Sequence, residues 1–101
     1  MTQFDVFINK NIDTNTQIPY LLNVQNDILN NLSTTVVVPL ISNIKSISNL
    51  NPTFVIESNK VIMSTTEIGS IPISYLGEKV CSLTDKRTEI INAIDFLITG
   101  Y

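Results

Sequence analysis

Thr34-Thr35-Val36-Val37-Val38-Pro39-Leu40 places five β-branched side chains in seven residues, a composition that suits a pleated strand better than a helix. Pro39 has no N–H to give to a ladder, so a strand margin or an edge is expected there. Just upstream, Asp27-Ile28-Leu29-Asn30-Asn31-Leu32 is short and interrupted by Asn. It reads as a turn with two apolar residues leaning outward. Ile18 to Val24 reads as extended, with Pro19 placing its entry at an edge or a strand start. Asn9 to Gln17 is polar and reads as a loop. At the start, Phe4, Val6 and Ile8 alternate with Gln3, Asp5, Phe7 and Asn9, which predicts a half-buried strand.

Downstream of Leu40, the stretch from Ser42 to Asn51 sets Ile44, Ile47 and Leu50 among polar residues. This is a long connection with room for one helical turn, ended by Asn51-Pro52. Phe54-Val55-Ile56 and Val61-Ile62-Met63 flank Glu57-Ser58-Asn59-Lys60, a hairpin with a polar turn. Ile68 to Pro72 reads as one more short strand, and Pro72 to Gly77 as a turn with a short helix ending at Gly77. The last segment changes period. Ile90, Ile91, Ile94, Leu97 and Ile98 recur at spacings of three and four, the mark of an amphipathic helix. Ser82 or Thr84 is expected to cap its start, because their hydroxyls accept from unpaired backbone N–H groups. Asp85 suits the positive end of the helix dipole, and Gly100 suits the stop. Several short strands and one final helix predict an antiparallel sheet or small barrel with a helix packed on it.

The chain has 101 residues, 44% of them apolar and 15% charged, with a mean hydropathy of +0.24. That is one folded domain, too apolar for a disordered chain. A domain this small has a limited core, so self-association is a plausible way to bury more apolar surface. Net charge is −3, and Arg87 is the single arginine beside five lysines. No basic stripe exists, which argues against direct nucleic-acid binding. The N-terminus lacks a basic region followed by an apolar run, and Val36 to Ile41 is too short to span a bilayer. The expected location is cytoplasmic, with no membrane contact.

Histidine is absent, which removes the commonest general acid and base near neutral pH. Cys81 is the single cysteine, so no disulfide closes within the chain and no Cys pair holds zinc. Gly69, Gly77 and Gly100 are scattered and form no phosphate-cradling loop. Asp85 and Glu89 lie four apart and read as solvated carboxylates in a first helical turn. Ser64, Thr65 and Thr66 have no adjacent base in sequence. RNA cleavage needs cations and proton-moving groups; five Lys, one Arg and no His are a poor set for it. What remains is apolar surface. The final helix is apolar beyond a narrow stripe, and such a helix is covered on more than one side, either wholly by its own domain or, as a domain this small favours, by its domain and a symmetry mate or partner.

In their order and spacing, these segments resemble the CcdB family of toxin–antitoxin toxins. The matching pieces begin with Gln3-Phe4-Asp5-Val6 and Val24-Gln25-Asn26-Asp27-Ile28. Val36-Val37-Val38-Pro39-Leu40, Leu50-Asn51-Pro52 and Leu76-Gly77-Glu78 follow. Ala93-Ile94-Asp95-Phe96-Leu97 and Gly100 complete the set, so that the resemblance covers the whole chain.

The resemblance implies a mainly β fold with a C-terminal α-helix, an SH3-like, partly open antiparallel β barrel plus a small extra sheet. It implies a homodimer, with Ile94, Leu97 and Ile98 at the dimer interface. It implies a protein without cofactor or catalytic residues that poisons DNA gyrase by binding its A subunit and trapping the cleavage complex. A cognate CcdA-like antitoxin would release gyrase and repress the operon together with the toxin, itself supplying the DNA contacts. Carried over position by position, the gyrase-binding residues are Ile28, Leu29, Asp95, Ile98, Thr99, Gly100 and Tyr101. The best-known members end in Trp-Gly-Ile, whereas this chain ends in Thr99-Gly100-Tyr101. Loss of a hot-spot aromatic costs roughly 2–4 kcal/mol of binding. An inactive relative that keeps the dimer and the antitoxin is therefore the alternative reading.

Overall fold

A computed structural model of the chain describes residues 1–42 and 51–100. Tyr101 and the predicted connection through Ile44, Ile47 and Leu50 lie outside the described residues. The strands are β1 (Asp5–Asn9), β2 (Tyr20–Asn23), β3 (Thr34–Ser42), β4 (Thr53–Ile56), β5 (Asn59–Met63), β6 (Gly69–Pro72) and β7 (Leu76–Ser82), and α1 (Arg87–Thr99) closes the chain. The sheet runs β4-β5-β3-β2-β1-β7, with β6 branching from β3, and every pairing is antiparallel. It curls into a half-barrel with the helix against it, the open SH3-like form expected from the resemblance. The β6 arm is the small extra piece, continuous with the main sheet.

β3 is the spine. One side pairs with β2 from Val37 to Leu40. The other side pairs first with β6, from Thr34 to Val37, and then with β5, from Leu40 to Ser42. Pro39 sits where that second partner changes. Its carbonyl accepts from the Ser64 N–H at 2.9 Å, and since the N and C=O of one strand residue point to the same side, its N–H-less nitrogen also faces the junction. Pro39 is thus interior to a central strand, not at a margin or edge. The ladder tolerates it because no continuous partner runs past it.

The alternation read at the N-terminus is only half right. Val6, Leu22 and Val38 pair across β1, β2 and β3 and are wholly buried on the helix side. The next rung faces the opposite way, yet Phe7 and Leu21 are buried too, in a second cluster with Val37 and Leu76. Both faces are covered here, so period two no longer separates inside from outside. Phe7 is buried and Ile8 is exposed, the reverse of the expectation, because the second cluster covers the face that Phe7 shares with Leu21.

Residues 72–77 end differently from the expectation. A single 3-10 turn, Ile73–Tyr75, leads into β7. Gly77 lies within that strand, where a Cβ would stand 2.7 Å from the Ile8 carbonyl oxygen; it permits close approach to β1 rather than ending a helix. The hairpin prediction holds, and Glu57 and Ser58 both take positive φ at its tip, as a two-residue type I′ turn requires. At the helix, Ser82 Oγ accepts from the Thr84 N–H at 3.3 Å. That bond bridges the entry to the 3-10 turn Thr84–Lys86, whose N-cap is Leu83, and neither that turn nor α1 has the side-chain cap expected from Ser82 or Thr84.

Buried polar groups tie the chain start to the sheet. Thr35 Oγ1 donates to Asn23 Oδ1 at 2.6 Å, and Asn23 Nδ2 donates to the Thr2 carbonyl at 3.0 Å. Phe4 holds a positive φ of 71°, a strained state for an aromatic residue. Backbone hydrogen bonds pin it to Asn23 and Leu83, and the Arg87 guanidinium lies 5.9 Å above its ring. Asp5 is 2% exposed; it accepts from the Thr2 N–H at 2.9 Å and pairs with Lys79 at 3.3 Å. Burial raises its carboxyl pKa, but the hydrogen bonds from Thr2 and Lys79 outweigh that and hold it below the ordinary value. Its stabilisation is therefore present above the ordinary carboxylate range and lost as pH falls through the lower folded-state value. Asp5→Asn is expected to lower stability at pH 7 by about 1–2 kcal/mol. It should also flatten the acid limb of a denaturation series; an unchanged acid limb contradicts this assignment.

Candidate functional site

Two exposed elements hold the side chains singled out in the sequence. The first is a 3-10 turn, Asp27–Leu29, just after β2. Asn26 Oδ1 accepts from the Ile28 N–H at 3.0 Å and caps the turn. Asp27 Oδ1 accepts from the Gln3 N–H at 2.6 Å, fastening the turn to the start of the chain. The Leu29 and Asn30 N–H groups close back on the Asn26 and Asp27 carbonyls. This network fixes the backbone but buries neither apolar side chain: Ile28 is 84% exposed and Leu29 45%.

The second element is the end of α1. Gly100 takes φ 83° and its N–H returns to the Phe96 carbonyl at 2.9 Å, a left-handed stop that glycine adopts without strain. Ile98 is 73% exposed, and Asp95, Thr99 and Gly100 are exposed beside it. Thr99 Oγ1 donates to the Asp95 carbonyl at 2.7 Å, so its hydroxyl is turned back onto the helix. Among the residues expected at a dimer interface, Ile94 and Leu97 are half-buried, and Ile94 packs against the main core. The buried stripe is narrower than the sequence suggests: Ile90 and Ala93 face inward, while Ile98 is left uncovered. Among the described residues, no hydrogen bond joins the turn to the helix end, and neither core cluster includes Ile28, Leu29 or Ile98.

The sheet face opposite the helix holds a groove of about 510 Å³. Ile18, Leu21, Val37 and Ile71 line its floor, with Lys10 and Tyr75 among its other lining residues. This feature was not visible in the sequence, because its walls come from the β1–β2 loop, β2, β3 and the β6 arm. The available signal was Phe7, an apolar residue out of phase with its strand.

The titratable groups in the core serve structure. Burial, with the nearby Glu57 and Asp5 charges, pushes the Cys81 thiol up and keeps it protonated. Burial likewise raises the Tyr20 phenol, which donates to Glu57 Oε1 at 2.8 Å and accepts from Asn59 at 3.2 Å. Together these bonds fasten the β4–β5 turn over β2. Among the described residues, no three His, Cys, Asp or Glu side chains gather to hold a metal. The chemistry that the two exposed elements offer is apolar contact from a fixed backbone.

The family model described as "CcdB protein" matches residues 3–100. An endoribonuclease in complex with its cognate antitoxin, from a mycobacterial species, superposes with a TM-score of 0.73. It is 15% identical, over 94% of this chain and 91% of that one. The Mycobacterium tuberculosis toxin MazF-mt6 gives a TM-score of 0.67 at 15% identity, over 75% of this chain and 81% of its own. At such identities, the two structures establish likeness of fold.

If Asp27 fastens the turn, Asp27→Ala releases it. Native-state hydrogen exchange at the Gln3 and Ile28 amides is expected to quicken about fivefold, equivalent to about 1 kcal/mol. The β1–β3 amides should be unaffected. Unchanged exchange at Gln3 would show that the contact does not restrain the turn.

Proposed function

The chain belongs to the CcdB family of toxin–antitoxin toxins, and from that premise we propose that it binds the DNA gyrase A subunit and traps the gyrase–DNA cleavage complex. The observation that supports this most directly is the exposure of Ile28 on its capped, fastened turn, at a position the family uses against gyrase. Ile98 at the capped end of α1 is the second such position. Both present apolar surface at little further entropic cost, which is how a small interface gains affinity.

The proposed action is binding alone, with no catalytic residue and no cofactor. Two copies associate through the α1 face of Ile94, Leu97 and Ile98. Dimerisation places two helix ends and two turns on one object. A cognate CcdA-like antitoxin displaces gyrase. With a net charge of −3, the toxin leaves DNA contacts in operon repression to the antitoxin. Gyrase is cytoplasmic, and so is this action.

A second reading is favoured by Thr99, whose hydroxyl is bonded back to Asp95 where the best-known members carry Trp. In that reading the chain dimerises and binds antitoxin but leaves gyrase alone. The deciding assay incubates purified protein with gyrase, ATP and supercoiled DNA. Linear, cleaved DNA is expected to accumulate, and Ile28→Ser should reduce it about tenfold at equal protein while the melting temperature holds. Removing residues 99–101 should abolish it. No cleaved DNA, together with tight antitoxin binding and normal growth on overexpression, would establish the second reading instead.

A further inference from the structure

We infer that Leu32 is a third apolar contact of the surface formed by Ile28 and Leu29, an extension that rests on the gyrase reading. Leu32 is 50% exposed and belongs to neither core cluster. Its neighbours Asn30, Asn31, Ser33 and Thr34 are all polar, so Leu32 is the one apolar side chain of this stretch, and half of it is left in water.

The backbone brings Leu32 to the same surface. Its N–H donates to the Leu29 carbonyl at 3.2 Å, which closes a further turn just after the 3-10 turn. Gln25 Nε2 reaches the carbonyls of Leu29 and Thr34, at 3.3 and 3.4 Å. One side chain thus spans the segment and draws its far end back toward β2. Ile28, Leu29 and Leu32 emerge from a closed, doubly fastened loop of backbone rather than from a free one.

Single exposed apolar side chains are ordinary on a protein surface. Ile12, Val55 and Tyr75 are of that kind, one each in the β1–β2 loop, on the β4 edge and after β6. Ile28, Leu29 and Leu32 instead put three exposed apolar side chains within five residues, on a turn held by side-chain hydrogen bonds. The occupant of this surface is the proposed partner: continuity with Ile28 and Leu29 places Leu32 where a gyrase A subunit seated on those two side chains would cover it too. Burial of a third anchor beside two others also excludes water from them.

The test measures affinity of the full chain for purified gyrase A subunit by calorimetry, beside thermal melting of each variant. Leu32→Ser is expected to weaken binding about tenfold, equivalent to about 1.4 kcal/mol, with melting unchanged. Leu32→Met should restore most of the affinity. Val55→Ser, on the far edge of the sheet, should bind like wild type. Ile28→Ser reports on the underlying reading. If Ile28→Ser weakens binding and Leu32→Ser does not, the role given to Leu32 is overturned and the gyrase reading stands. If the wild-type chain does not bind gyrase A at all, both fall together.

Discussion

The structure depends on β3 having more partners than a strand ordinarily has. Along nine residues it pairs with β2 on one side and, in succession, with β6 and β5 on the other. That branching forces the sheet to curl and fork, and it creates two interiors. One lies beneath α1 and the other between the sheet and the β6 arm. Pro39 marks the fork. A residue with an N–H at that position would need an acceptor there, and the junction between β6 and β5 supplies no continuous ladder.

Because both faces of β1, β2 and β3 are occupied, the domain does not need its turns and its helix end for its core. Those elements are free to carry apolar side chains outward, and the fold fastens them instead by polar contacts. Asp27 reaches Gln3, Asn26 caps the turn, and Gly100 closes the helix. The division of labour is physical. Hydrophobic burial in the sheet sets stability, whereas hydrogen bonds at the periphery set the shape of what is presented. The chain start takes part in both, since Thr2, Phe4 and Asp5 bond to Asn23, Leu83 and Lys79.

How much of this was legible followed from how local each signal is. The run Thr34 to Leu40, the hairpin around Glu57 and Ser58, the turn at Asp27 and the helix through Ile94 depend on neighbours within a few residues, and their reading agrees with the structure. Strand β7 was not read from Leu76-Gly77-Glu78-Lys79-Val80-Cys81-Ser82, because its polar residues and Gly77 look like a turn until β1 is placed beside them. Phe7 and Ile8 were given the wrong burial, since alternation presumes one covered face and nothing local marks the second cluster that covers Phe7. The positions Ile28, Leu29, Asp95, Ile98, Thr99 and Gly100 came from family resemblance. The structure adds their exposure and the hydrogen bonds that fix them, while Tyr101 lies outside the described residues.

The central claim is that this CcdB-family chain works through its fastened turn and the end of α1, as a binding protein for gyrase. Hydrogen exchange of the full chain, free and saturated with purified gyrase A subunit, tests it most directly. Slowed exchange confined to residues 25–32 and 95–100 is the predicted result. Slowed exchange centred on the groove of Lys10, Ile18, Leu21 and Tyr75, or no change anywhere, would contradict it.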